Sequence, residues 1–258
     1  MSNRKRASGL IVLSLVVAVV MAIVALDSRG QNSSTAQDKP TPIQRGKLTQ
    51  RQREHGKLFK NKGVGNIYAL IQRRSAEGDS EAINIESLPG TPELSRSGEV
   101  DSDRLVTSVA QADAVVIGVV TDKTSQLNEA ETFIFTDYAV NVVEVLKNNA
   151  ASPISPNAVI TVTRTGGVVQ LEGHIVRAVD RTAKPLQVGD KYLLFLRHLP
   201  ATGAYLASEG PNSFKLEGDT VMTLTEDPRY VGFQRGKDVV SFVNAVRSAI
   251  GTNNEGKR

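Results

Sequence analysis

Residues 114–224 contain a succession of short apolar segments with a period of two, separated by glycine and proline. Side chains of a β-strand point alternately to its two faces, so this period indicates strands rather than helices. Many short strands with Gly/Pro turns are typical of one sandwich or small closed barrel. We predict nine strands, over residues 114–121, 133–146, 158–164, 168–171, 175–179, 192–196, 204–208, 213–216 and 220–224.

Two details of this pattern predict local geometry. After Val142 the apolar phase changes, because Val143 and Val145 are apolar in the opposite register. One extra residue in a strand produces such a change, so we predict a β-bulge there. The sequence TGG at residues 165–167 predicts a hairpin that leads into the strand at 168–171.

Helical periodicity flanks the strands. We predict two short helices over about 49–60 and 65–74, with Thr49 as the N-cap of the first. Asp101 begins a further short helix. The chain closes with an amphipathic helix that has Asp238 as its N-cap and Gly251 at its C-terminal cap. This helix is expected to cover an edge or an end of the β structure.

Residues 9–26 form an uninterrupted apolar run in which Ser14 is the only polar side chain. These 18 residues would make a helix about 27 Å long, close to the roughly 30 Å hydrocarbon core of a bilayer. We predict an uncleaved transmembrane signal anchor. The alternative is a cleaved signal peptide, but the run is longer than usual, and Ile23 would stand three residues before a cut after Ala25.

Positive charge next to this run predicts its orientation. Arg4, Lys5 and Arg6 precede it, whereas the basic residues after it are dilute and mixed with acidic ones. The tail 1–8 therefore stays in the cytoplasm. We expect a single-pass protein of the cell membrane with an extracytoplasmic bulk, or a secreted protein if the segment is cleaved.

Composition divides the rest of the chain. Residues 27–47 and 75–100 are polar or rich in Gly and Pro and are predicted to be linkers. Between them, residues 48–74 form a basic helical segment. Residues 101–225 are the β domain, 226–251 the C-terminal helix region and 252–258 a tail.

Charge is unevenly distributed along the sequence. Residues 1–75 hold 14 Lys/Arg and 3 Asp/Glu, which gives +11, and the remainder holds 17 and 24, which gives −7. A nucleic-acid-binding domain would carry positive charge on its own surface, so nucleic acid is an improbable partner. The candidate interaction residues are the cations of the basic segment: Arg51, Arg53, Lys57, Lys60, Lys62, Arg73 and Arg74.

Two interpretations of the basic segment remain open. It can lie against anionic lipid or an acidic partner as an amphipathic surface. Alternatively, it is a solvated charged helix whose few apolar residues pack on the β domain.

No familiar catalytic motif is present. The chain has no cysteine, no G-x-S-x-G and no phosphate-binding loop. His174 and His198 could meet across strands, but two imidazoles without a clear acidic third ligand are a weak metal site, so no metal or cofactor is expected. A hydrolase would need its scattered polar residues to meet in one cleft; the candidates are Asp137, Glu172, His174 and His198.

Several segments resemble a family of bacterial membrane-anchored or exported envelope proteins. They are QREHGKLFKNKG (52–63), ADAVVIGVV (112–120), FIFTDYAVNVVEVLKNN (133–149), KPLQVGDKYLLFLR (184–197) and PATGAY (200–205), within about residues 48–225. The resemblance implies an N-terminal membrane segment, a basic helix and a small closed OB-like, netrin-module-like β-barrel. Its motifs are structural, so they imply no site residues.

The expected function is that of a non-enzymatic, membrane-anchored envelope module that binds a protein or polymer through its barrel or basic helix. The bilayer itself is the expected partner of residues 9–26. Two alternatives remain: an exported hydrolase with an unrecognised site, and a proteinase-inhibitor-like module that offers an exposed edge for β-augmentation.

Overall fold

The computed structural model describes residues 40–43, 48–59, 65–77, 83–87, 101–180, 184–207, 213–225 and 234–255, which belong to one compact unit, Lys39–Arg258. The predicted anchor at 9–26 and tail at 1–8 lie outside these residues. None of the helices within them is long and apolar enough to cross a bilayer.

The fold is mainly β, as predicted, with several short helices. The helices are α1 (Gln50–Lys57), α2 (Ile67–Ala76), α3 (Asp101–Gln111) and α4 (Val239–Glu255). The strands are β1 (Thr41–Pro42), β2 (Ile83–Ser87), β3 (Ala114–Leu127), β4 (Ile134–Lys147), β5 (Val159–Thr165), β6 (Gly167–Leu171), β7 (His174–Asp180), β8 (Lys191–Leu199), β9 (Ala204–Ala207), β10 (Ser213–Glu217) and β11 (Thr220–Thr223). The nine predicted strands are confirmed as β3–β11.

Seven strands form the larger sheet, in the order β11-β10-β8-β3-β4-β5-β9. All neighbours are antiparallel except β5 and β9, which run parallel. Strand β9 also pairs with β8, antiparallel, from Leu196–Ala207 to Leu199–Ala204. The short strand β9 thus bonds to β5 on one side and to β8 on the other.

The predicted bulge in β4 is confirmed. Ile117 pairs with Glu144 and Gly118 pairs with Val142, so Val143 is the additional residue between two ladder partners. The extra residue shifts the alternation, so Val145 after the bulge packs in the same cluster as Val140 and Val142 before it, while Val143 is 46% exposed.

A second sheet of four strands has the order β1-β6-β7-β2. Its hairpin is β6–β7, closed by Glu172 and Gly173 with φ of 49° and 88°, the signs that a two-residue turn of type I′ requires. The prediction of a hairpin at 165–167 is wrong, because β5 and β6 belong to different sheets. At Gly167 the backbone has φ 144° and passes directly over Thr136, where a side chain would collide.

Strands β1 and β2 fall within the predicted linkers 27–47 and 75–100 and correct that prediction. Each adds parallel to one edge of the β6–β7 hairpin. Ile83 and Ile85 are buried there in a cluster with Ile67 and Ile71 of α2. These short segments become strands because the hairpin supplies hydrogen-bond partners and α2 covers their apolar side chains.

Strands β3 and β8 are buried on both faces. Alternate residues face a cluster covered by α3 and α4, including Val115, Ile117, Leu193, Phe195, Phe242 and Val246. The intervening residues face a second cluster with the inner side chains of β4, β5 and β9, including Val116, Tyr138, Val140, Val162, Leu194 and Tyr205. Burial on both faces explains why the sequence YLLFL is continuously apolar.

Helix α4 confirms the predicted N-cap, since the Ser241 N–H donates to Asp238 Oδ1 at 2.8 Å. Gly251 is not the C-terminal cap, because the helix continues to Glu255 and includes part of the predicted tail. The segment before α4 bonds to β11, where Val221 N–H donates to Lys237 O and Gly236 N–H donates to Val221 O. This segment covers the outer edge of the larger sheet.

Candidate functional site

Helix α1 begins with a complete capping box. Gln52 N–H donates to Thr49 Oγ1 at 3.3 Å, and Thr49 N–H donates to Gln52 Oε1 at 2.6 Å. The two side chains satisfy backbone donors that the first turn leaves open, which fixes where the helix starts. Arg51, Arg53 and Lys57 are exposed on this helix.

His55 joins α1 to the larger sheet. Its Nδ1 lies 2.8 Å and 3.0 Å from the two carboxylate oxygens of Asp137 on β4. Its Nε2 lies 2.9 Å from Thr202 Oγ1, in the loop between β8 and β9. His55 is 1% exposed and Asp137 12%, so water competes little for these bonds. We call Asp137, His55 and Thr202 the His55 clamp.

Contacts after His55 complete the attachment of α1. The ring of Phe59 stacks on Phe133 and Phe135, with centroids 5.3 Å and 5.7 Å apart. At Gly56 an added Cβ would lie 3.1 Å from the Asn128 Cα, so the helix approaches the β3–β4 loop closely. Phe59 is therefore buried against the β domain, whereas the neighbouring Leu58 is 39% exposed.

A polar cleft lies between the first turn of α1 and strands β3, β4 and β5. Its volume is about 450 Å³, within the range of small-ligand sites. We call it the α1 cleft; its lining residues are Thr49, Arg51, Gln52, Asp122, Lys123, Thr124, Gln126, Asp137, Tyr138, Ala139 and Thr161. Across its floor, Ala139 pairs with Asp122 on one side and Thr161 on the other. The small side chain of Ala139 leaves room between two polar neighbours.

Arg51 spans this cleft. Its Nη1 donates to Thr161 Oγ1 at 3.3 Å, which links α1 to β5. Of the predicted interaction residues that the structure describes, Arg51 is the one that lines the α1 cleft. Arg53 and Lys57 are exposed on the same helix, and Lys57 Nζ is 2.5 Å from Glu54 Oε1.

Helix α2 carries two more of the predicted cations. Ile67, Tyr68 and Ile71 are buried in the second sheet's cluster, whereas Arg73 and Arg74 are exposed. Ile67, Tyr68 and Ile71 thus pack on the β structure, while both interpretations of the cations stay predictions. Lys60 and Lys62 lie outside the described residues.

The four candidates for a hydrolase do not share one cleft. Asp137 lines the α1 cleft, but Glu172 is in the β6–β7 turn and His174 Nε2 is 3.0 Å from Ser75 Oγ. His198 packs against Tyr205, with ring centroids 5.2 Å apart. In the described part of the chain, no three His, Cys, Asp or Glu residues are placed to hold a metal ion.

Tyr192 and Lys215, which are outside the lining of the α1 cleft, have shifted pKa values. Burial raises the pKa of the Tyr192 hydroxyl, which accepts from Gln187 N–H and donates to Asp190 Oδ2. Burial opposes charge on Lys215, but its hydrogen bonds to Asp190 and Glu217 outweigh this and raise its pKa.

Sequence reasoning missed the His55 clamp. His55 and Asp137 are 82 residues apart, and Thr202 is a further 65 residues along the chain (202 − 137). The available signal was a histidine beside apolar Leu58 and Phe59 in an otherwise basic segment.

The chain was compared with models of known protein families and with curated proteins, and neither comparison finds a match.

Proposed function

We propose that this protein is a membrane-anchored, non-enzymatic module of the cell envelope that binds its partner at the α1 cleft. The His55 clamp is the observation that carries the proposal. It holds α1 in place over the larger sheet, so that Arg51 faces strand residues across a fixed opening. A preorganised polar site of this kind costs little conformational entropy when a ligand binds.

The strand pairings support an OB-like barrel as the scaffold. Strands β3, β4, β5, β9 and β8 each pair with the next, and the β3–β8 pairing returns the series to its start. OB barrels bind ligands on the face of their second and third strands and on two adjacent loops. The corresponding elements here are β4, β5 and the loops holding Asn128 and Thr202, which α1 contacts. The correspondence between these elements and the binding face of an OB barrel is an analogy of fold.

Nucleic acid is not the proposed ligand. Single-strand binders in OB barrels stack bases on exposed aromatic rings. Among the described residues, Tyr138 is the one aromatic that lines the α1 cleft, and it is 2% exposed.

The anchor completes the proposal. Residues 9–26 would span the bilayer, and the polar residues before α1 would hold the β domain outside the cytoplasm. The alternative is secretion after cleavage, which leaves the binding proposal unchanged.

A capture experiment tests the binding role. The full chain, in detergent and immobilised through a C-terminal tag, is incubated with solubilised envelope extract. Arg51→Ala is compared with Arg53→Ala, a change of the same type on the same helix outside the cleft lining. We expect one component to be enriched by the wild type and Arg53→Ala and lost with Arg51→Ala. Equal recovery with both variants, or no enriched component, refutes the proposal.

A hydrolase is the second candidate, on one specific observation. Thr202, His55 and Asp137 have the hydroxyl–imidazole–carboxylate order of an acyl-transfer site. Thr202 Oγ1 would attack an acyl carbon while His55 Nε2 takes its proton and returns it to the leaving group. Because His55 is 1% exposed, its imidazole is closed to a substrate in this arrangement, which places this candidate second.

Thr202→Val tests the hydrolase candidate, because valine keeps the shape of threonine and removes the hydroxyl. Hydrolysis of p-nitrophenyl esters by the wild type that disappears in a folded Thr202→Val variant would establish it. Equal rates of the two proteins, including no rate for either, would eliminate it.

A further inference from the structure

Several acceptors of the α1 cleft are engaged within the protein. Both Asp137 oxygens face His55 Nδ1, and Asp122 Oδ1 accepts from Lys123 N–H at 2.8 Å. Thr49 Oγ1 and Gln52 Oε1 accept from each other's backbone N–H in the capping box.

Arg51 supplies the donors. Its bond to Thr161 uses one of the five N–H donors of a guanidinium. The planar fork matches a carboxylate or a phosphate through two parallel hydrogen bonds. Lys123 adds a second positive charge to the lining, and Thr124 and Gln126 add neutral polar groups. The ligand should thus carry an oxyanion beside neutral hydrogen-bonding groups.

The charge balance of the lining separates the two kinds of oxyanion. Arg51 and Lys123 contribute two positive charges, and Asp122 and Asp137 contribute two negative charges. A dianionic phosphate carries twice the charge of a carboxylate ligand, so Asp122 and Asp137 would repel it more strongly. A single negative charge held by the arginine fork, flanked by amide groups, meets less repulsion and uses the glutamine and threonine side chains.

We propose that the α1 cleft binds the carboxylate end of a peptide-like component of the envelope, with Arg51 as the group that holds the carboxylate. This inference rests on the proposed function and specifies its ligand. Arg51 acts while fixed by Thr161 and by the His55 clamp, which hold the guanidinium over the sheet.

Titration of the full chain in bilayer nanodiscs tests this assignment. The probes are N-acetylglycine, which carries a carboxylate beside an amide, its neutral counterpart N-acetylglycinamide, and inorganic phosphate. Binding is followed by nuclear magnetic resonance at the Arg51 side-chain N–H and the Thr161 amide.

We expect saturable shifts with N-acetylglycine and none with N-acetylglycinamide. Arg51→Ala should weaken binding at least ~10-fold, as judged at Thr161, because it removes charge-assisted hydrogen bonds. Arg53→Ala should change it less than about twofold, because exposed charges outside a site contribute little.

Three results would overturn the carboxylate assignment: equal shifts with N-acetylglycinamide, tighter binding of phosphate, or equal losses in the two arginine variants. If N-acetylglycine fails while envelope capture still depends on Arg51, the binding role stands and only the ligand class falls. If N-acetylglycine binds but capture enriches nothing, the cleft is a carboxylate site and the proposed envelope role falls.

Discussion

Removal of His55 tests whether its clamp holds α1 on the β domain. In His55→Ala, the Asp137 carboxylate loses the N–H that lies 2.8 Å away while it remains only 12% exposed. A hydrogen bond to a charged group contributes about 1.5–3 kcal/mol, and the neutral bond to Thr202 adds about 1 kcal/mol. We expect His55→Ala to lower the free energy that holds α1 on the sheet by about 3 kcal/mol. This is at the lower end of the 3–5 kcal/mol found when one partner of a fully buried ion pair is removed.

Hydrogen exchange of the α1 backbone amides measures this loss directly. About 3 kcal/mol corresponds to a ~100-fold increase in the local opening equilibrium, so slowly exchanging amides of α1 should exchange fast in His55→Ala. His55→Asn can still donate to Asp137 and should retain part of the protection. Arg53→Ala, an exposed change on the same helix, should leave exchange within a few-fold of the wild type. Unchanged protection in His55→Ala would refute the clamp.

Three further changes test the packing of Phe59, the backbone at Gly167 and the cap of α4. In each case the thermal unfolding of the full chain is monitored by circular dichroism. Phe59→Ala should cost about 3–5 kcal/mol, because Phe59 is 2% exposed and stacks on two phenylalanines; a loss below about 1 kcal/mol contradicts that packing. Gly167→Ala should lower Tm strongly, because φ is 144° and the added Cβ would collide with Thr136. An unchanged Tm would contradict the close passage of the Gly167 backbone over Thr136. The hydrogen bond from the Ser241 N–H lowers the pKa of Asp238 below its ordinary 3.8. The ionised Asp238 therefore stabilises the folded chain above pH 3.8, and this stabilisation is lost as pH falls through the lowered pKa. Asp238→Asn keeps the cap and should lose this part of the acid dependence, and identical acid profiles would contradict the assignment.

The strands were predictable where burial decides the pattern. β8 is apolar on both faces because two clusters cover it, and the phase change after Val142 identified the bulge at Val143. Such signals are local, because each residue's polarity reports which face of its own strand is buried.

The wrong predictions for β1, β2 and the turn at 165–167 share one physical cause, which is pairing between distant segments. β1 and β2 are strands only because the β6–β7 hairpin offers its edges. Gly167 favours a turn in sequence, but Thr136 Oγ1 donates to Gly166 O and Val168 N–H donates to Ser125 Oγ, and these bonds tie the backbone to β3 and β4 as it passes to the second sheet. Helix α4 continues through Gly251, since a glycine only weakens a helix whose apolar face is already packed.

The candidate site was also only partly predictable from the sequence. Arg51 and the other cations were evident from composition, but the sequence does not distinguish Arg51 from Arg53. The distinction comes from the position of Thr161 on β5 and from the His55 clamp, which joins residues of three separate segments.

Protease protection in spheroplasts tests whether residues 9–26 tether this β domain on the outer side of the cytoplasmic membrane. The full chain with a C-terminal tag should sediment with membranes, resist extraction by alkaline carbonate, and lose its tag to protease added outside intact spheroplasts. Recovery of the intact chain from the soluble fraction after lysis without detergent, or protection of the tag until the membrane is broken, would contradict the account.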